Sequence, residues 1–266
     1  LGSFVLSMVA TWFCFRTVAS LPWRERLARW IGARGHYNPQ SSVHTAAVVL
    51  VLTLLSIMVG QLVLSGGLSG LAQNVEVEGV SAGALVFQGV LMVTAAFLGV
   101  GLLIRRTPAA TFERLGLRWP TPQDIGWGVG VGFLLYLALI LMASLWALVV
   151  PVEQIAEQNI AAEQIAQAFG TLPLALLLSA TAGISEEILF RGALQPVFGL
   201  AVTSIFFALV HMQYALTPAT IIIFVVALGL GWLRQRHSTT AAIIAHFVYN
   251  FVQLAFAILL AGALGG

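Results

Sequence analysis

The amino-acid sequence predicts an all-α protein, a polytopic membrane helical bundle with about eight transmembrane helices. The first reason is composition, because 59% of the 266 residues are apolar and 8% are charged, whereas about a quarter of residues are charged in an ordinary soluble domain. The second reason is pattern, because the apolar residues form long runs instead of the alternating positions of a membrane β-barrel strand. Helices also satisfy their backbone hydrogen bonds internally, which lipid surroundings require.

Eight apolar runs follow one another along the chain, and each is a candidate helix across a hydrocarbon core of about 30 Å. The sixth and seventh runs are short and could form one broken span. We keep them separate because merging them would move the loop with Arg234 and Arg236 to the opposite side of the membrane. The approximate bounds of the runs are 2–20, 44–65, 82–104, 126–150, 171–193, 198–213, 218–233 and 240–263.

The charges between the runs predict the orientation of the chain. Arginines concentrate in the loops after the first, third and seventh runs, whereas the loops at 66–81 and 151–170 carry Glu and no basic residue. The positive-inside rule therefore places the Arg-rich loops in the cytoplasm and both termini outside, as in a multi-pass protein of the cell (inner) membrane. Because the arginines are scattered and the net charge is only +2, we expect the lipid bilayer as a partner and no nucleic acid.

Six polar residues interrupt the apolar runs of the C-terminal half. An ionisable group at the bilayer centre costs about 2.5–3.5 kcal/mol on insertion scales, so each such group is expected to have a partner or a function. A structural ion-pair cluster and a transport path are alternatives to a catalytic site at this stage. The six residues are Glu186, Glu187, Arg191, His211, His246 and Asn250.

The two adjacent glutamates are predicted to have different roles. Glu187 and Arg191 are four residues apart and share one helix face, so they can form a structural ion pair. Glu186 points about 100° away from Glu187 around the helix and has no such partner. In apolar surroundings a carboxylate of this kind suits a general base.

The two histidines lie on other helices, each with a neighbour one turn away. His246 and Asn250 share a face and can both donate hydrogen bonds to one oxygen, as the oxyanion of a peptide-bond cleavage requires. Phe207 shares a face with His211 and can hold the imidazole in place by packing. For either histidine alone, a hydrogen bond between helices is the alternative interpretation.

Three strings of residues, taken in order, resemble a known family. EEILFR at 186–191, FALVH at 207–211 and HFVYN at 246–250 resemble the EExxxR, FxxxH and HxxxN motifs of the CAAX-protease and bacteriocin-processing family of intramembrane proteases, which includes type II CAAX prenyl endopeptidases. The resemblance extends over 172 to about 256. The stretch ERLGL at 113–117 resembles the family less closely than these three strings do.

The resemblance implies an eight-helix endopeptidase in which Glu186 and His211 activate a water molecule. His246 and Asn250 would form the oxyanion hole, and Glu187 with Arg191 would hold the site in shape. The family has often been called metalloproteases, and Glu186, His211 and His246 are a legitimate zinc set. We nevertheless expect no metal, because zinc ligation would consume Glu186 and leave no general base.

The domain organisation follows from these assignments. Residues 1–125 are predicted to form an N-terminal three-helix membrane region, in which the basic segment 23–33 lies as a helix in the membrane interface. Residues 126–266 form the catalytic helical core of what is one membrane-embedded domain overall. The single cysteine, Cys14, lies in an apolar run and is expected to be a small buried side chain without a disulfide.

The expected function is hydrolysis of a peptide bond in a membrane protein or in a lipidated or hydrophobic peptide. A non-proteolytic immunity or scaffold protein of the same fold is the alternative. A proton-coupled transporter fits less well, because its polar residues would be expected in both halves of the chain.

Overall fold

A computed structural model describes residues 2–31, 36–66, 81–151, 170–211 and 218–264, and over these residues the chain is helical without any strand. The predicted polytopic helical bundle is therefore confirmed. In chain order the elements are α1 (Gly2–Ala19), α2 (Leu21–Ile31), α3 (Ser42–Leu64), α4 (Ala82–Gly99), α5 (Pro108–Leu115), α6 (Pro122–Ala147), α7 (Leu172–Glu186), a π-helix (Glu187–Leu194), α8 (Gln195–Val210), α9 (Pro218–Arg236) and α10 (Thr239–Leu264).

Each predicted apolar run coincides with at least one of these helices, but the number of spans is not confirmed as eight. Five helical stretches in the described part of the chain are long and apolar enough to cross a membrane by length and composition. The Glu-containing segments used to predict orientation lie largely outside the described residues. The five stretches are Ser42–Leu64, Ala82–Gly99, Pro122–Ala147, Leu172–Val210 and Thr239–Leu260.

The longest of these stretches, Leu172–Val210, folds back on itself. Gly199 has φ 78° and ψ 172°, a left-handed conformation that glycine adopts without the steric penalty of a side chain. Phe190 and Phe207 would lie about 25 Å apart on one straight helix, yet their ring centroids are 5.0 Å apart. The fifth and sixth runs are thus two antiparallel arms, as predicted, but the reversal lies at Gly199 instead of the expected 194–197.

The basic segment after the first run is helical, as its spacing predicts. Helix α2 begins directly after α1, and Arg24 ties the two together by donating hydrogen bonds to the carbonyl oxygens of Thr17 and Val18 at 3.0 and 2.8 Å. Trp23 adds a hydrogen bond from its indole nitrogen to Thr17 Oγ1. The interfacial position of α2 remains a prediction.

Helix α10, which carries two of the predicted site residues, packs closely against α6 and α7. A Cβ atom built on Gly132 would lie 2.7 Å from the carbonyl oxygen of Ala245, and one on Gly183 would lie 3.2 Å from that of Ile243. These glycines allow the helix backbones to approach as small residues do in membrane bundles. The close packing fixes the depth and rotation of α10.

A buried carboxylate anchors the start of α10. Asp124 is fully buried, and its oxygens accept hydrogen bonds from Arg118, from Thr121 and, at 2.7 Å, from Ser238 Oγ. Thr121 and Asp124 also form a capping box at the start of α6. The hydrogen bonds to Asp124 raise the pKa of Arg118 above its usual value. Sequence reasoning missed this cluster, although the spacing of Thr121 and Asp124 is a readable capping signal.

Candidate active site

The structure brings the predicted site residues together from three parts of the C-terminal half. Glu186 ends α7, and Glu187 and Arg191 lie in the π-helix that follows. His211 stands at the end of α8 after the reversal at Gly199, and α10 contributes His246. The site is therefore built across the hairpin and one further helix.

Glu186 faces His211 across the hairpin. Glu186 Oε2 lies 3.7 Å from His211 Nε2, and the two side chains are 17% and 22% exposed. Among the described residues, Glu186 Oε2 has no hydrogen-bond partner. Arg191 forms its ion pair with the neighbouring Glu187.

A hydrogen bond sets which nitrogen of His211 carries the proton. His211 Nδ1 lies 2.7 Å from the carbonyl oxygen of Phe207. A carbonyl oxygen only accepts hydrogen bonds, so Nδ1 carries the hydrogen. In the neutral ring, Nε2 then presents a lone pair toward Glu186. With a neutral His211 ring, two proton acceptors therefore face each other across 3.7 Å, a distance that a water molecule can bridge.

Glu187 and Arg191 form the predicted ion pair, fully inside the bundle. Arg191 Nη1 lies 3.2 Å from Glu187 Oε1, and the side chains are 1% and 0% exposed. Arg191 also donates a hydrogen bond to the carbonyl oxygen of Ala227 on α9 at 3.3 Å. The pair therefore links the π-helix to α9.

The same oxygen, Glu187 Oε1, also forms a hydrogen bond with His246. The sequence did not reveal this contact. His246 Nδ1 lies 2.8 Å from Glu187 Oε1, and His246 is buried. Because the Glu187 carboxylate is paired with the Arg191 cation, it is the acceptor and His246 Nδ1 is the donor. No spacing signal within one helix predicts this bond, because it joins residues 59 positions apart on different elements.

The ring of Phe207 is the apolar centre of the site. Its centroid lies 4.5 Å from that of His211 and 6.2 Å from that of His246. The guanidinium carbon of Arg191 lies 4.2 Å from the same centroid, a cation–π geometry. Phe207 thus packs His211, as its spacing predicts, and also contacts the arginine.

Asn250 lies one helical turn beyond His246 on α10 and is half-buried. Residues four apart on an α-helix share a face, so its amide is available on the same side of α10 as the imidazole. The predicted role of Asn250 beside His246 in binding an oxyanion stays a prediction.

The π-helix at 187–194 is a feature that sequence reasoning did not anticipate. The prediction treated 171–193 as one regular α-helix, but the backbone changes hydrogen-bond pattern directly after Glu186. π-helical segments occur frequently at functional sites. The change widens the turn that carries Glu187 and Arg191.

The residues proposed as an alternative zinc set do not gather around one point. Glu186 and His211 lie together, but His246 Nδ1 is held by Glu187. Within the described parts of the chain, no three His, Cys, Asp or Glu side chains are grouped so that they could hold a metal ion.

Comparison with known proteins confirms the resemblance over the segment that builds this site. Residues 168–252 match the family described as type II CAAX prenyl endopeptidase Rce1-like. The match contains all six residues singled out above. At the level of that family, the segment resembles a protease. Comparisons with curated proteins and with solved structures gave no match.

Proposed function

We propose that this protein is an intramembrane endopeptidase that hydrolyses a peptide bond of a membrane-associated protein or peptide. The observation that carries the proposal is the pair of facing acceptors, Glu186 Oε2 and His211 Nε2, at 3.7 Å. A water molecule has two hydrogens to donate, one to each acceptor, which leaves its oxygen lone pairs free for attack. The match of residues 168–252 to an endopeptidase family supports the same function.

In the proposed reaction, Glu186 takes a proton from the water while the water oxygen adds to the peptide carbonyl carbon. The carbonyl oxygen becomes an oxyanion, which His246 and Asn250 stabilise by hydrogen bonds. The proton is then delivered to the leaving nitrogen as the C–N bond breaks. The products are a carboxylic acid and an amine, which become a carboxylate and an ammonium group at neutral pH, so one water molecule is consumed for each bond cut.

The contact with Glu187 refines the proposed role of His246. Because Nδ1 already donates to Glu187, Nε2 is the nitrogen left for the substrate, and it donates only when the ring carries both protons. The Glu187 carboxylate stabilises such an imidazolium. Glu187 is therefore a positioning residue in the proposal as well as the partner of Arg191.

The proposed substrates are membrane proteins or lipidated or hydrophobic peptides that reach the site through the bilayer. Glu186 and His211 are partly exposed and can be reached from outside the bundle, whereas Glu187 and Arg191 are buried. Glu186 and His246 lie in helical stretches that are long and apolar enough to cross a membrane, so an apolar substrate does not need to leave the lipid. We propose the cell (inner) membrane as the location.

The test compares membrane peptides of cells that carry the intact protein, Glu186→Gln, or the control Glu113→Gln. The glutamine side chain keeps the shape of Glu186 and cannot accept the proton, so we expect cleavage to fall by about 100-fold or more. Glu113 is exposed on α5 and lies outside the site, so its variant should cleave as the intact protein does. Peptide ends that depend on the intact protein are identified by mass spectrometry.

Equal cleavage by the Glu186→Gln variant at equal abundance would contradict the catalytic assignment. Identical peptide ends with and without the protein would instead support a non-proteolytic scaffold.

A further inference from the structure

A polar cavity lies apart from the candidate active site, at one end of the bundle. Its volume is about 290 Å³, and it is lined by the chain just before and at the start of α3 and by the loop after α4. Both α3 and α4 are long and apolar enough to cross a membrane. In helices that cross a membrane, this end of α3 and the loop after α4 would lie at the level of lipid headgroups. The lining residues are Gln40, Ser41, Ser42, Val43, Arg105 and Arg106.

The cavity is strongly positive. Within the described residues, no carboxylate forms an ion pair with Arg105 or Arg106. Arg114 is a third arginine close to this group, because burial, and after it the neighbouring charges of Arg106 and Arg234, lowers the pKa of Arg114 to about 10. Arginines that repel one another, and that form no ion pair with a carboxylate, favour the binding of an anion.

The loop that supplies the two arginines also presents an apolar tip. Leu103 and Ile104 are 79% and 75% exposed, and they directly precede Arg105 and Arg106. Leu103 has φ 60°, a conformation that is uncommon for a residue with a side chain. Two large, exposed apolar side chains thus directly precede two cations in this loop. An apolar tip next to arginines matches the acyl chains and the headgroup of one lipid molecule.

We propose that this cavity binds the phosphate of an anionic phospholipid headgroup, with Arg105 and Arg106 as the principal ligands. The side chains of Ser41 and Ser42 and the loop backbone add uncharged hydrogen-bonding groups to the lining. Leu103 and Ile104 lie against the acyl region of the same lipid. Because the cavity is separate from Glu186 and its partners, this proposal does not depend on the proposed proteolysis.

The test measures binding of a fluorescently labelled phosphatidylglycerol to the purified full chain in a neutral detergent. Each phosphate-facing arginine near a membrane surface contributes about a fivefold change in affinity, so we expect Arg105→Gln to bind about fivefold more weakly. Arg105→Gln with Arg106→Gln should be weaker again. Arg236→Gln is the matched control, because Arg236 is exposed and does not line the cavity.

The competitors separate the possible sources of the phosphate. Unlabelled phosphatidylglycerol should displace the probe, whereas phosphatidylcholine and inorganic phosphate at equal concentration should not. Displacement by inorganic phosphate would indicate that the cavity binds a free anion and not a lipid, and this result would overturn the proposal. Equal weakening by Arg236→Gln would show diffuse charge attraction and overturn it as well. Arg105→Gln decides the outcome if the double variant does not fold, because Arg105 is exposed and makes no hydrogen bond through its side chain to a described residue.

Discussion

Glu187 Oε1 serves two buried groups, because it forms an ion pair with Arg191 Nη1 at 3.2 Å and accepts a hydrogen bond from His246 Nδ1 at 2.8 Å. A Glu187→Gln substitution leaves the Arg191 cation without its counter-charge, which costs about 3–5 kcal/mol for a buried pair. We expect a clear loss of thermal stability in detergent together with a loss of cleavage. The melting temperature and the cleavage rate are measured on the same preparation.

A double variant separates the two roles of Glu187. In Glu187→Gln with Arg191→Met, no buried charge is left unpaired, so stability should recover in part. Cleavage should stay low, because His246 still lacks the carboxylate that orients it. If cleavage recovers together with stability, Glu187 is only the partner of Arg191.

Metal removal tests the proposed glutamate mechanism. Zinc ligation would consume Glu186, the proposed general base, so we expect cleavage to continue at an unchanged rate after a chelator and after metal-free purification. Metal content is checked by elemental analysis. Loss of cleavage that added zinc restores would contradict the expectation.

At the residue scale, the sequence predicted pairs within one helix and missed pairs between helices. The Glu187–Arg191 pair and the Phe207–His211 contact follow from a spacing of four residues. The Glu187–His246 bond does not, because helix packing decides which residues of two elements meet. The roles assigned to Glu186, His211, His246 and Asn250 remain predictions.

At the scale of elements, the close packing of α10 against α6 depends on a glycine. A Cβ on Gly132 would lie 2.7 Å from the Ala245 carbonyl oxygen, whereas one on Gly130 meets nothing within 4 Å. Gly132→Ala should therefore destabilise the protein by about 1–3 kcal/mol and reduce cleavage, because α10 carries His246. Gly130→Ala is the control and should keep or slightly raise the melting temperature.

Equal melting temperatures for the two glycine variants would show that the close approach of α6 and α10 contributes nothing to stability. A Gly132→Ala variant of normal stability without cleavage would place the effect on the site alone.

The elements were predictable where one physical requirement dominates. In lipid, a long apolar run satisfies its backbone hydrogen bonds by forming a helix. Every predicted run coincides with a helix in the structure. The π-helix was not predictable, because its hydrogen bonds shift by a single residue within a run of the same composition. The buried Asp124 cluster was missed because it joins a loop to the distant start of α10.

At the scale of the whole molecule, the arginine distribution predicts the orientation in the membrane. We expect a cysteine at Trp119, in an Arg-rich loop, to face the cytoplasm, and a cysteine at Val149, beyond the other end of α6, to face outside. Both positions are well exposed, at 93% and 74%. Cys14 is first replaced by Ser so that each variant has one cysteine.

A membrane-impermeant maleimide applied to intact cells should label the Val149→Cys variant directly and the Trp119→Cys variant only after permeabilisation. The reverse pattern would invert the topology and move the arginine cavity to the outer leaflet.

The reversal at Gly199 has a consequence for the newly made chain. If the stretch at 172–210 leaves the ribosome as one straight helix, Glu186 and His211 stand about 37 Å apart and no water can bridge them. The two halves of the site meet only after the arms have closed. Under that condition the proposed protease cannot cut neighbouring proteins before its own two arms have closed.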